Sequence, residues 1–270
     1  MQTCSDKGDW LMIKGILLAL TLVSGAAVAA GGSGYPLEHI DTDVTDQPSL
    51  QRGLATYSQF CAGCHSMEYQ RYERTANDLG ISNALFEEHL LPGHKKIGDL
   101  GTISMPADAA GEWFGAPPPD LTLVTRKRGN DWVYTYLKTF YTDPSRPLGV
   151  NNLVFPKVGM PHALQPLQGE QRLVCTNAPV KENGVVKTDP LTGNPILEDQ
   201  CGVLEVVEGS GQLSADEYDR VIYDLVNYMA YVAEPSRAQS ERLGIYVLLF
   251  LFVFFIVAYL LKREYWKDVH

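Results

Sequence analysis

Phe60-Cys61-Ala62-Gly63-Cys64-His65-Ser66-Met67 decides how the remainder of the chain is read. A Cys-x-x-Cys pair followed at once by histidine has the spacing at which two thiols add to the vinyl groups of a haem while the imidazole reaches the iron from the same turn. Two other chemistries use a Cys-x-x-Cys. A zinc tetrahedron needs a second such pair or a paired-histidine motif, and none follows here. A thioredoxin-like redox pair needs a βαβ context, whereas this motif closes a helix-like run.

That run predicts a helix over residues 50–60, opened by Pro48-Ser49 with Ser49 as its N-cap. Gly53 and Tyr57 lie one turn apart on it, the pattern either of a close helix crossing or of a tolerated surface glycine. Ahead of it, Pro36 to Gln47 carries Asp41, Asp43 and Asp46 and reads as an extended, solvated arm. Beyond the motif, Tyr69 and Tyr72 sit among charges, and Asn83 to Leu91 predicts a short helix ended by Pro92-Gly93. Residues 95–119 read as loop, closing on the stiff Gly115-Ala116-Pro117-Pro118-Pro119-Asp120, either a linker or a wall. Trp132, Val133, Tyr136, Leu137 and Phe140 recur with helical spacing behind Asn130-Asp131, and Asp143-Pro144 stops them.

An iron held by one histidine keeps a position open for small ligands, whereas histidine with methionine suits electron transfer at a raised potential. The second ligand therefore decides the function class. Met67 is too near the tether to reach the other haem face, and Met229 lies on the apolar stripe of a helix, where core packing explains it. Met105 and Met160 remain, each followed by proline in a loop, with His94 and His162 as further candidates. Residues 147–168 show no period, which suits a loop presenting a thioether. Arg126-Lys127-Arg128 is the nearest dense supply of counter-charge for haem propionates, or else a solvated basic turn.

The apolar content of 45% is enough for a substantial core. One domain of about 200 residues plus end segments is the economical division. A net charge of −10 argues against a nucleic-acid partner and for a locally basic one. Residues 1–30 read as a cleavable secretory signal, with Lys14, the apolar run 16–23 and Ala27-Val28-Ala29 in order. Asp6 and Asp9 are unusual ahead of such a run, and Met12-Ile13-Lys14 is an alternative start. Loss of this leader removes Cys4, Met1 and Met12, leaving Cys61, Cys64, Cys175 and Cys201. In an oxidising compartment the last two are expected to form a disulfide. Between them, Asn183-Gly184 is a hairpin signal. Ser214-Ala215-Asp216-Glu217 is a capping box heading an amphipathic helix that ends near Glu234-Pro235. The run 243–261 carries no charge, and 262–270 is a short tail. Such a run is close to the roughly 20 residues that span a bilayer core. Export of the body places that tail in the cytoplasm and residues 31–240 outside it.

Cys61-Ala62-Gly63-Cys64-His65-Ser66-Met67-Glu68-Tyr69 resembles the haem segment of the cytochrome c1 family, the haem-bearing subunits of quinol–cytochrome c reductase. Pro118-Pro119-Asp120-Leu121 with Arg126-x-Arg128 resembles that family's second signature, and Gly159-Met160-Pro161 falls where its axial methionine lies. Ala233-Glu234-Pro235 before a single anchor is similar as well. The resemblance implies a mainly α c-type cytochrome domain with long loops, a small β-hairpin insertion and one C-terminal transmembrane helix. It implies one covalent haem c on Cys61 and Cys64, with His65 and Met160 on the iron. Pro118 and Pro119 would wall the haem, Arg128, with Arg126 beside it, would meet a propionate, and Trp132 and Phe155 would pack alongside. The implied function is one-electron transfer from a Rieske iron–sulfur protein to a c-type cytochrome, without substrate chemistry in this subunit. Cytochrome b and membrane lipid would be its neighbours in a dimeric complex of the bacterial inner membrane, with the haem domain periplasmic. A monohaem cytochrome of another respiratory complex, a haem-based ligand sensor or peroxidase, and a thiol–disulfide enzyme are the rival readings.

Overall fold

Gly53 has no room for a side chain: a Cβ built there would lie 2.1 Å from the Asp224 carbonyl oxygen and 2.6 Å from the Tyr228 Cβ. This is the crossing of α1 (Gln47–Phe60) and α8 (Ala215–Ala233), the helix pair at the centre of the fold. The close-crossing reading of Gly53 therefore holds. In this computed structural model, which describes residues 34–182 and 185–269, the chain from Tyr35 onward forms one compact unit. The leader read in residues 1–30 lies outside the described residues.

The crossing is fixed by polar as well as apolar contacts. Arg52 makes a two-pronged pair with the buried Asp224 carboxylate, at 2.6 and 2.9 Å. Asn227 donates to Ser49 Oγ (3.0 Å) and to the Asp43 carbonyl (2.8 Å), which ties the acidic arm down onto α8. Leu50, Leu54 and Tyr57 of α1 pack with Ile222, Leu225 and Met229 of α8 in the main core. The capping box heads α8 as expected, with the Ser214 N–H donating to Glu217 Oε2 at 2.9 Å.

Several boundaries differ from the sequence reading. Helix α1 starts earlier, at Gln47, because the Asp46 carboxylate accepts from the Ser49 N–H and is the N-cap in place of Ser49. After the Cys-x-x-Cys-His turn come β1 (Met67–Arg71) and α2 (Tyr72–Asp78), then α3 (Asn83–His89) and β2 (Leu100–Gly101), which pairs with β1. The stretch read as loop up to Pro119 contains a helix, α4 (Ala107–Phe114), ended by Gly115 at φ 80°. Its few residues between prolines and glycines hide the helical signal. Two short helices follow, α5 (Val124–Arg128) and α6 (Asn130–Lys138), both packed on α8. Phe140 does not continue α6 but begins β3 (Phe140–Thr142), which pairs with β4 (Val150–Asn152). The irregular segment that follows is interrupted by the short α7 (Gln165–Gln168).

Strands β5 (Gln171–Pro179) and β8 (Leu197–Val206) form a long antiparallel ribbon, extended by β6 (Lys181–Glu182) and β7 (Val185–Val186) on either side of Asn183-Gly184. Cys175 and Cys201 face each other across the ribbon and are bonded through their sulfurs. Because the bond closes a loop within the ribbon alone, its removal should act there. In a Cys175→Ser/Cys201→Ser double variant, amide exchange in β5 and β8 should accelerate, with a loss of up to about 3.5 kcal/mol in protection. Unchanged protection of both strands would refute a stabilising role.

The last helix, α9 (Arg237–Tyr265), starts before the charge-free run. It is long and apolar enough to cross a membrane: its most apolar stretch of 18 residues has mean hydropathy 2.8, and none of that stretch is covered by the rest of the chain.

Candidate functional site

Three segments far apart in sequence enclose one apolar cavity of about 360 Å³. Ligand sites usually span roughly 300–1,000 Å³. The first segment is the turn after α1, which brings Cys61, Cys64 and His65 to the wall. The second is Pro117-Pro118-Pro119, laid across that turn. The third is the loop Phe155 to Ala163, which brings Met160 to the same cavity. Helix α6 and Met229 of α8 close the remaining side.

The Cys-x-x-Cys-His turn is held from both ends. The Cys61 and Ala62 N–H groups donate to the Tyr57 carbonyl (2.9 Å each), and the Tyr57 hydroxyl donates to the His65 carbonyl at 2.8 Å. Asp120 locks the proline run over it by accepting from the Glu68 N–H at 2.7 Å, while the Leu121 N–H donates to the Ser66 carbonyl at 2.9 Å. His65 is buried, with Nδ1 2.8 Å from the Pro119 carbonyl oxygen. A carbonyl only accepts, so Nδ1 carries the proton and Nε2 keeps its lone pair, the tautomer a metal ligand requires. Burial pushes this imidazole below its usual range, opposed by the same carbonyl. Burial also pushes the Cys61 thiol up to about 12, opposite to the shift that a redox-active thiol needs.

The Met160 sulfur accepts from the Tyr136 hydroxyl at 3.3 Å. Of the competing donors, Met105 is not on the cavity wall. His94 contacts Ser104 Oγ at 3.1 Å. His162 stacks on Phe140 with ring centroids 4.9 Å apart, and its Nε2 is 2.8 Å from Gln168 Oε1. Met229 serves both core and cavity, a double role that its place on an apolar stripe does not reveal.

Arg128 stands on the wall with its guanidinium carbon 4.9 Å from the centroid of Trp132 and 6.0 Å from that of Phe155. These ring contacts hold a cation beside an opening where Phe155 is 45% exposed. Arg126, by contrast, is exposed and off the wall, because residues two apart on a helix point to different sides. Arg126 is the one expected haem-contacting residue that does not line the cavity. Pro118, Pro119, Trp132 and Phe155 do line the cavity, and so do Phe60, Phe114, Val133 and Tyr136.

The donor set fits a covalent haem: paired thiols beside an imidazole with a free Nε2, a thioether on the same cavity, apolar walls and a cation at the mouth. A structural zinc needs four such ligands, and no cluster of three or more metal-binding side chains occurs among the described residues.

The sequence matches the model of the Cytochrome C1 family over residues 39–89 and 104–269. It is 50% identical over 259 residues to the cytochrome c1 of Allochromatium vinosum, covering 96% of this chain and 100% of that protein. It is 40% identical over 259 residues to the ammonia monooxygenase gamma subunit of Nitrosomonas europaea, covering 96% and 99%. The cytochrome c1 of Rhodospirillum rubrum is 27% identical over 284 residues, covering 96% of each.

Proposed function

The chain belongs to the cytochrome c1 family, and on that premise we propose that His65 and Met160 are the two protein ligands of its haem iron. Family membership makes it the electron-transfer haem subunit of a bacterial cytochrome bc1 complex, carrying one covalently bound haem c. When bound, haem c supplies a one-electron iron couple. The protein's part is to hold and tune that couple. Cys61 and Cys64 anchor it, the Pro119 carbonyl orients His65, and the proline run with Trp132 and Val133 excludes water. Arg128 offsets propionate charge at the mouth. The observation that carries the reading is the convergence of the Cys61–His65 turn and the Met160 loop on one apolar cavity.

Within the bc1 complex, α9 anchors the chain beside cytochrome b. The donor is a Rieske iron–sulfur protein and the acceptor a c-type cytochrome, in a dimeric assembly with the haem domain periplasmic. The leader-like residues 1–30 and the run 243–261 support that orientation. Oxygen chemistry at this haem, suggested only by the name of the Nitrosomonas relative, would require an open iron position. The presence of Met160 on the His65 cavity argues against one.

The test is a reduced-minus-oxidised spectrum of solubilised membranes together with the subunits that copurify. A covalent haem c band travelling with cytochrome b and a Rieske protein is expected, and a covalent band without cytochrome b would overturn the complex assignment. The net charge of −10 should also steer a basic acceptor, so that its reduction slows as salt is added. At about 0.15 M the screening length falls to about 8 Å, and steering over longer distances is lost. Stopped-flow rates independent of salt would rule out charge steering.

A further inference from the structure

The segment from Val154 to Met160 has neither helix nor sheet ladder to order it, yet four of its seven residues are bonded through the backbone to side chains. Asn152, 1% exposed, accepts at Oδ1 from the N–H groups of Val154 (2.9 Å) and Phe155 (3.0 Å). Asn151 Oδ1 accepts from the Lys157 N–H at 2.8 Å, and Arg146 Nη2 donates to the Lys157 and Val158 carbonyls at 2.9 and 3.3 Å. Lys157 is held at φ 63°. A non-glycine residue keeps that left-handed conformation only when its surroundings impose it.

Asn152 is also bonded to the residue whose hydroxyl meets the sulfur. Its Nδ2 donates to the Tyr136 carbonyl at 2.8 Å, and the hydroxyl of that same tyrosine donates to Met160 Sδ. The Thr139 hydroxyl contacts Asn152 Oδ1 at 3.4 Å. One buried amide thus joins the end of α6, which bears the sulfur's hydrogen-bond donor, to the start of the loop that bears the sulfur.

We propose that Asn152 is the positioning residue for the axial thioether, setting the place of the Met160 sulfur through both the loop and Tyr136. The proposal rests on Met160 being an iron ligand. A thioether is a weak, neutral donor, so its hold on the iron depends on being delivered in place by the surrounding structure. Asn151 and Arg146 fix the turn farther along and act in the same direction with less reach.

The experiment compares Asn152→Leu, Asn151→Ala and Met160→Leu in the full membrane-bound chain. The readouts are midpoint potential, carbon monoxide binding by the reduced form, and covalent haem content. In Asn152→Leu the haem should remain attached through Cys61 and Cys64. Carbon monoxide should bind, and the reduction equilibrium should shift at least about tenfold toward the oxidised form, which is about 59 mV for a one-electron couple. Asn151→Ala should shift the same way by less. If Met160→Leu opens the iron while Asn152→Leu keeps wild-type potential and excludes carbon monoxide, the positioning role fails alone. If Met160→Leu changes neither readout, the ligand assignment fails and the positioning role with it. Should Asn152→Leu yield no folded protein, Asn151→Ala decides: a downward shift supports the clamp, and wild-type values overturn it.

Discussion

Met160→Leu should lower the midpoint potential of the bound haem by on the order of a hundred millivolts, a modest part of the roughly 0.8 V that axial ligand choice spans. A thioether raises the potential relative to weaker or oxygen-donor occupants, so its removal favours the oxidised state. Leucine is close in volume to methionine, and a swap of this kind in a packed site costs less than about 1.5 kcal/mol. The cavity walls should therefore persist around an iron that has lost one ligand. The effect is sharpened by the Tyr136 hydroxyl, which donates to that sulfur and would be left facing an apolar group. Redox titration of the purified complex gives the potential, and carbon monoxide binding by the reduced protein reports the open position. A potential equal to wild type would return the assignment to another donor, of which Met229 is the methionine already on the cavity wall.

The two halves of this site differ in how openly the sequence displays them, for a physical reason. Cys61, Cys64 and His65 act within one turn of chain, so their chemistry is local and their spacing is the signal. Met160 is legible as a methionine beside proline in an aperiodic loop, but the residues alone prefer it only narrowly to Met105; of the two, Met160 lines the cavity. The walls are partly hidden because Trp132, Val133, Tyr136 and Leu137 give an ordinary amphipathic pattern whether their face meets a core or a cofactor. Asn152 leaves no pattern at all, and Asp120 stands in the Pro118-Pro119-Asp120-Leu121 signature without showing what it bonds. Their roles consist of hydrogen bonds to backbone groups, and those depend on where distant segments are brought. Arg126 lies close to Arg128 in sequence but not in direction, a difference that helical geometry imposes and a motif does not display. The run Ala107–Phe114 reads as loop because its flanking prolines and glycines dominate a helix too short to show a period.

Gly53→Ala should destabilise the domain by about 3 kcal/mol, the upper part of the range for overpacking, lowering its midpoint of thermal unfolding by roughly 6–12 °C. Alanine is otherwise the better helix former, by about 1 kcal/mol, so the sign depends on what the new methyl meets. Here it meets the Asp224 carbonyl oxygen and the Tyr228 Cβ, at 2.1 and 2.6 Å. Neither is the far end of a flexible side chain, so α1 and α8 themselves must separate. Separation would also strain the Arg52–Asp224 pair and the Asn227–Ser49 hydrogen bond, which span the same crossing. Because α1 runs directly into the Cys61–His65 turn and Tyr57 holds that turn by its hydroxyl, the haem should loosen along with the fold. Gly111→Ala on α4 is the matched control, since nothing lies within 4 Å of a Cβ there. The same substitution at that position should stabilise by up to about 1 kcal/mol. Thermal unfolding of both variants followed at the haem band and by far-ultraviolet circular dichroism separates the cases. A Gly53→Ala protein as stable as wild type would mean that the two helices do not cross as closely as the structure places them.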